Sequence, residues 1–271
     1  MPKSRKTQKQ TIEELFHDKY ASSVKLEDLN VEENFSLAAQ ENRSAEKMFG
    51  DLEGKRVLDL GCGFGETAVY WATKGAKVDA IDISSESIEL AKKLATKYKV
   101  SKNCNFKQMA AEDLKFKDNY FDYVFGNGVL HHVQLMEAGK EIKRVLKKGG
   151  RAAFVEPLKY NPVINVYRRI ANEVRTPTEN PLGFGDINKL KTVFPHVKHS
   201  EYEMLTLLIF VWFFIVSRVS PNEQRYWRKI LRVTGPLKLI LGSLIFLDKI
   251  ALSLIPPLRY FCWNTVIELR K

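Results

Sequence analysis

Short apolar runs alternate along the chain with longer stretches whose apolar positions recur every three or four residues. The run from Arg56 to Leu60 stops at alternating glycines, Gly61, Gly63 and Gly65. A helix is expected from Glu66 to about Lys74, closed by Gly75, and a second short run then ends in Asp82. Together these form one β-α-β unit. Ser84 or Ser85 should cap the next helix, Glu86 to Tyr98, whose stripe is Ile88, Leu90, Ala91, Leu94 and Ala95. Further strands are expected over Asn105 to Gln108, Tyr120 to Asn127 and Ala152 to Glu156, with a helix from Leu135 to Leu146. Strands alternating with helices predict a parallel sheet covered on both faces.

The ends of the chain read differently. Met1 to Gln10 is expected to be a disordered tail. Thr11 to Tyr20 reads as a short helix, with Thr11 and Glu14 spaced as a capping box, and Glu33 to Phe49 as another. Two more strands are placed near His199 to Leu205 and Phe261 to Leu269. The stretch 206–260 between them is unusual. Leu207 to Val216 is apolar all round, and Arg218, Arg225, Trp227, Arg228, Lys229 and Arg232 follow. Leu237 to Ile255 is apolar but broken by Lys238, Asp248 and Lys249. A spanning helix needs about 20 apolar residues, so neither is expected to cross a membrane. Short apolar helices with aromatic rings and adjacent cations suit a membrane surface. Burial as a lid over a substrate, or a dimer arm, is the other reading.

Composition narrows the classes. At 271 residues and 45% hydrophobic, the chain can bury a sizeable core. Its net charge of +11 favours a phosphate-rich partner, either anionic lipid or nucleic acid. Nucleic acid is the poorer fit, because the cations are interleaved with bulky aliphatics and not with exposed stacking aromatics. Lys3, Arg5, Lys6 and Lys9 have no apolar stretch behind them, unlike a signal peptide. Cys62, Cys104 and Cys262 show no paired spacing, which points to no disulfide framework and to the cytoplasm, with peripheral membrane contact through 206–260 as the further expectation. No metal-ligand cluster is visible.

The glycines carry the chemistry. Alternate glycines let a ligand lie against bare backbone, and an acid ending the second strand can accept both hydroxyls of a ribose. Asp59 before the glycines and Glu66 after them would oppose a pyrophosphate at the helix N-terminus. They suit the cationic ammonium and sulfonium of S-adenosylmethionine better than a dinucleotide.

Leu58-Asp59-Leu60-Gly61-Cys62-Gly63-Phe64-Gly65 resembles the first motif of class I S-adenosylmethionine-dependent methyltransferases. Ala111 to Leu114, Phe121 to Val133 and Arg144 to Gly150 resemble its later motifs in the same order. The resemblance implies an α/β, Rossmann-like seven-stranded sheet of order 3-2-1-4-5-7-6 with strand 7 antiparallel. It also implies a division into an N-terminal tail and helical cap (1–53), a cofactor-binding core (54–205), a helical insertion (206–260) and a last strand (261–271). Cofactor contacts are expected at Asp59, Gly61, Cys62, Gly63, Asp82, Ile83, Ala111, Glu112, Asp113 and Asn127. Many relatives carry an acid where this chain has Ala110, so Glu112, Asp113 or water would meet the adenine amino group.

Methyl transfer needs the acceptor held in line and often deprotonated. His131 follows Asn127 closely, and an imidazole with a pKa of about 6.5 is a suitable base. By resemblance to some phosphoethanolamine methyltransferases, Tyr20 is its expected partner. Acceptor contacts are expected at His132, Glu156, Tyr160, Asn161, Tyr167 and Arg168. The reading is methyl transfer to a lipophilic small molecule or lipid at a membrane surface. A soluble small-molecule enzyme with the insertion as lid or homodimer interface is the alternative, and a non-catalytic cofactor-binding scaffold is a third.

Overall fold

The computed structural model describes residues 6–218, 220, 222 and 226–271, without the side chains of residues 172, 226 and 227. Lys3 and Arg5 of the basic N-terminus, Arg225 and the side chain of Trp227 lie outside this set.

Seven strands form one sheet: β1 Arg56–Leu60, β2 Lys77–Asp82, β3 Cys104–Gln108, β4 Phe121–Asn127, β5 Leu146–Pro157, β6 His196–Tyr202 and β7 Asn264–Arg270, in the order β3-β2-β1-β4-β5-β7-β6. Strand β7 runs antiparallel to both of its neighbours, as expected. Strand side chains alternate between two cores. Val57, Ala80, Phe125, Ala153 and Val266 enter one, while Leu58, Ile81, Val124, Phe154 and Ile267 enter the other. Helices α2 (Gln40–Phe49), α3 (Glu66–Thr73) and α4 (Ser85–Lys97) cover the first face, and α5 (Leu135–Val145) and α7 (Phe184–Lys189) cover the second.

Several boundaries move. The first helix, α1, spans Gln8–Ser22 and is capped by Thr7 with Gln10, so the expected Thr11–Glu14 box is replaced by one a turn earlier. The expected helix from Glu33 is a 3-10 turn over Glu32–Phe35 followed by α2. Strand β5 extends back through Lys147 to Gly150, which had been expected to turn.

Past β5 lies α6, Pro162–Ile170, and between β6 and β7 lie α8 (Leu208–Ile215), α9 (Tyr226–Leu231) and α10 (Gly235–Leu254). These four helices share a third core, in which Ile164, Phe210, Phe213, Ile230, Leu241 and Ile245 are buried. Asp248 enters beneath α8 and accepts from the backbone N–H groups of Met204 and Leu205 at 3.2 and 2.8 Å. A carboxylate satisfies the exposed donors of a helix start. Among the described residues no helix is long and apolar enough to cross a membrane.

Candidate functional site

The carboxyl ends of β1, β2, β4 and β5 lie at one edge of the sheet, where α/β folds bind ligands. Strand β7 starts at that edge, because Asn264 pairs with both Pro157 and Tyr202. A cavity of about 420 Å³ opens there.

Its floor is the glycine turn after β1. Gly61 and Gly63 have φ of +70° and +51°, which only glycine adopts at no cost. A Cβ on Gly61 would lie 2.7 Å from Val129 Cγ2, so the turn packs tightly against the loop after β4. A Cβ on Gly63 would meet nothing and would project into open space. The Gly63 N–H donates to Asp82 Oδ2 at 2.8 Å, and the Ser84 N–H donates to Oδ1 at 2.9 Å. Each carboxylate oxygen has two lone pairs, so Asp82 retains acceptor capacity. Asp59 lies beneath the turn, 1% exposed. Its Oδ2 accepts from the Thr67 hydroxyl at 2.6 Å, while Oδ1 is buried without a partner. Burial pushes the Asp59 carboxyl up to about 7, against the Thr67 hydrogen bond and with help from the charge on Asp82.

Cys62, Ile83, Ala111, Glu112 and Asn127 also line the cavity, as do Tyr20, Tyr167, His131 and His132. Glu112 accepts from the Gln134 N–H and from Gln10 on α1. Burial and the nearby acids hold the Cys62 thiol protonated. Asp113 instead faces outward and pairs with Lys115. Tyr20 packs against Phe64, with ring centroids 5.4 Å apart. Helix α1 is docked by Asp18, whose Oδ1 accepts from Ser84 Oγ at 2.6 Å and from the Glu86 N–H at 3.2 Å. A carboxylate at the N-terminus of α4 also suits its dipole.

The expected acceptor contacts divide. Glu156 is fully buried and outside the cavity lining. It braces the loop after β4, accepting from the N–H groups of Val129 at 3.0 Å and Leu130 at 2.7 Å, and from His131 Nδ1 at 2.7 Å. Asn161 caps α6 and donates to the Phe261 carbonyl. The Tyr160 hydroxyl accepts from the Phe184 N–H at 2.9 Å. Arg168 donates to Asn165 at 2.8 Å, outside the cavity lining. Glu156, Asn161 and Tyr160 each serve a backbone group nearby, whereas Arg168 bonds a side chain of its own helix.

His131 is 5% exposed, and both ring nitrogens face carboxylates: Glu156 at 2.7 Å and Glu179 at 3.2 Å. Burial pulls its pKa down, but the two carboxylates together outweigh it and carry the imidazole to about 9. Both ring nitrogens are therefore engaged by carboxylates, an arrangement that suits a positioning role for the imidazole beside the cavity. His132 is shifted the other way, by burial and by the charge on His131. Its Nδ1 lies 3.0 Å from Glu13 Oε1.

Other cavity residues carry no sequence motif. Asn42 on α2 accepts from Asn127 at 2.9 Å. Glu41 and Glu203, 5% and 6% exposed, share the Asn264 amide at 3.1 and 2.8 Å. Burial pushes both carboxyls up, and Glu203 further because it faces Glu41. Arg228 of α9 pairs with Glu66 at 3.0 Å, while Ile230 and Leu231 form part of the wall with Ala38, Ala39, Tyr167 and Trp263. The insertion therefore reaches the site. Glu41 and Glu203 lie 162 positions apart in the sequence numbering, and only the topology unites them. The i, i+4 spacing of Glu13 and His17 was a signal open to detection.

Comparison with known proteins agrees with this arrangement. A family profile described as a methyltransferase domain matches residues 58–154. The chain is 33% identical over 125 residues to the uncharacterised methyltransferase YcgJ of Bacillus subtilis, covering 45% of this chain and 49% of that protein. It is 35% identical over 127 residues to the demethylmenaquinone methyltransferase of Lactococcus lactis, covering 45% and 49%. It thus spans about half the length of the curated relatives it matches. In fold it is similar to phosphoethanolamine N-methyltransferase 2 of Haemonchus contortus, with a TM-score of 0.56 at 19% identity, covering 85% of this chain and 52% of that one. Residues 58–154 thus match a methyltransferase domain, and the sheet that carries it has the strand order of the class I S-adenosylmethionine-dependent methyltransferases, which the chain resembles.

Proposed function

We propose that this chain transfers a methyl group from S-adenosylmethionine to a lipophilic small molecule met at a membrane surface. The observation that carries the reading is the mixed lining of one cavity. Asp82, Gly63 and Asn127 line it together with Ile230, Leu231, Ala38 and Ala39. The polar residues fit the cofactor. Asp82 has lone pairs for the ribose, Gly63 leaves bare backbone, and the buried, unpartnered Oδ1 of Asp59 suits a network reaching a cationic ammonium. When bound, S-adenosylmethionine supplies an electrophilic methyl group on sulfur. The chain's residues hold donor and acceptor in place and exclude water. Tyr20 of α1 and Arg228 of α9 both pack on the ring of Phe64 in the cavity wall.

The surface supports a lipophilic acceptor. Helix α10 buries Leu241, Ile245 and Asp248 and turns Leu239, Ile240, Phe246, Leu247, Ile250 and Leu254 outward. Trp212, Phe214 and Ile215 of α8 are also exposed. Apolar faces of this extent mark interaction surfaces. Exposed Lys238 and Lys249 sit beside the outward residues of α10, as an anionic lipid surface requires. A matched relative is named a demethylmenaquinone methyltransferase, which is consistent with this acceptor class. The Arg228–Glu66 pair favours a second reading, in which the insertion is a substrate lid. A lid whose outer face rests on lipid joins the two.

The test is an extract assay. Purified protein and methyl-labelled cofactor are incubated with separated lipid and aqueous metabolite fractions. Label in the lipid fraction is expected; label confined to the aqueous fraction would overturn the acceptor assignment and leave only the lid.

A further inference from the structure

Three side chains from distant segments converge beside the cavity. Glu13 and His17 stand one turn apart on α1, and His132 comes from the loop after β4. His132 Nδ1 lies 3.0 Å from Glu13 Oε1, and His17 Nε2 lies 3.6 Å from Glu13 Oε2. The two imidazoles meet edge to face, with centroids 5.7 Å apart. Bonds of about 2.0–2.2 Å from zinc to imidazole nitrogen and carboxylate oxygen place neighbouring donor atoms roughly 3–3.5 Å apart. The 3.0 Å spacing lies within that range and the 3.6 Å spacing just beyond it, and ligand atoms of the three residues all lie within 4.8 Å of one another.

Hydrogen bonding leaves Glu13 incompletely used. Oε1 accepts from His132, Thr176 and Thr178, whereas Oε2 is buried and accepts no hydrogen bond. The residue is 4% exposed. We propose that Glu13, His17 and His132 bind one divalent transition-metal ion of the zinc or iron(II) kind, with its remaining coordination positions open to the cavity.

Two imidazoles and one carboxylate are a donor set that such ions take, and three protein ligands leave room for water or an acceptor oxygen. His131 is no ligand, because Glu156 and Glu179 occupy both of its nitrogens and balance its charge. The ion would tie α1 to the loop after β4. That it meets the acceptor rests on the methyltransferase reading; that it binds does not. The sequence reading expected no metal.

The test needs neither cofactor nor acceptor. Chelator-treated full-length protein is titrated with Co²⁺, followed by visible absorption, and then with Zn²⁺ as competitor. One equivalent of Co²⁺, displaced by Zn²⁺, is expected. His17→Gln and Glu13→Gln should each weaken binding at least about 10-fold, as loss of even a supporting residue does at metal sites. His17 is partly exposed on α1, so an unchanged melting midpoint without metal shows that its variant is folded. Failure of the wild type to take up Co²⁺, or wild-type affinity in folded His17→Gln, would overturn the proposal. Cofactor binding is measured separately on metal-free protein, so failure of the methyltransferase reading leaves the metal result standing.

Discussion

His131 and Glu156 form a buried pair: imidazole Nδ1 lies 2.7 Å from carboxylate Oε2, with 5% and 0% of the side chains exposed. The pair fastens the loop after β4 to the end of β5, where Glu156 also takes two backbone N–H groups of that loop. The folded-state pKa of His131, about 9, lies above the ordinary histidine value of about 6.5. Its contribution is therefore complete below about pH 6.5 and lost as pH rises through about 9. The shift corresponds to an effect on the order of 3 kcal/mol. The stability difference between wild type and His131→Gln, from urea unfolding, should be largest in mild acid and shrink above about pH 9. A difference that grows with pH would refute the assignment.

The cofactor glycines should separate stability from binding. Gly61→Ala drives a Cβ into Val129 at a φ of +70° and should cost about 2–4 kcal/mol, strain and overpacking together. Gly63→Ala meets no neighbour and should cost only the backbone term, about 1–2 kcal/mol. Its methyl group would occupy space open to the ligand. Calorimetric titration with S-adenosylmethionine should show binding lost in a Gly63→Ala protein that still melts cooperatively.

Asp82 lies at the same turn. Its charge-assisted bonds are worth about 1.5–3 kcal/mol each. Asp82→Ala should weaken cofactor binding by about 10- to 100-fold, measured by the same titration.

Glu41 and Glu203 give a second pH signature. Burial raises the Glu203 pKa above its unfolded value, so its contribution is present at low pH and lost as pH rises through the folded value. Glu203→Gln keeps the neutral form and a donor toward Glu41. Its unfolding free energy should fall less than that of wild type as pH is raised from the ordinary carboxyl value of about 4.5.

The outward face of α10 is testable with vesicles of anionic phospholipid. Phe246 and Leu239 are 63% and 76% exposed. Burying a large apolar side chain is worth about 1.5–3 kcal/mol, so Phe246→Glu or Leu239→Glu should lower vesicle flotation by about 10-fold or more. The melting temperature should stay near that of wild type. Unchanged flotation would count against lipid as the partner.

Local chemistry made much of this protein legible. Gly61, Gly63 and Asp82 were readable because a turn that needs positive φ and an acid ending a strand are local requirements. The strand order followed from the family resemblance, and the two-sided burial from alternation that each strand carries in itself. Insertion 206–260 was visible as a break in composition, since continuous apolar runs do not suit a surface hairpin.

Partnership was not legible. Glu156, Tyr160 and Asn161 were expected to meet an acceptor because polar residues near a site look alike in sequence. Only the fold shows that they serve loop N–H groups, the Phe184 N–H and a helix cap. His131 looked like a base from its ordinary pKa, and Glu156 and Glu179, 25 and 48 positions away, engage both of its nitrogens and raise that pKa. Glu13, His17 and His132, and likewise Glu41 and Glu203, meet only because α1, α2 and the ends of β4, β6 and β7 arrive at one sheet edge. Backbone conformation is set by neighbours along the chain, whereas charge state and ligand geometry depend on distances across space, and these exist only once the chain has folded.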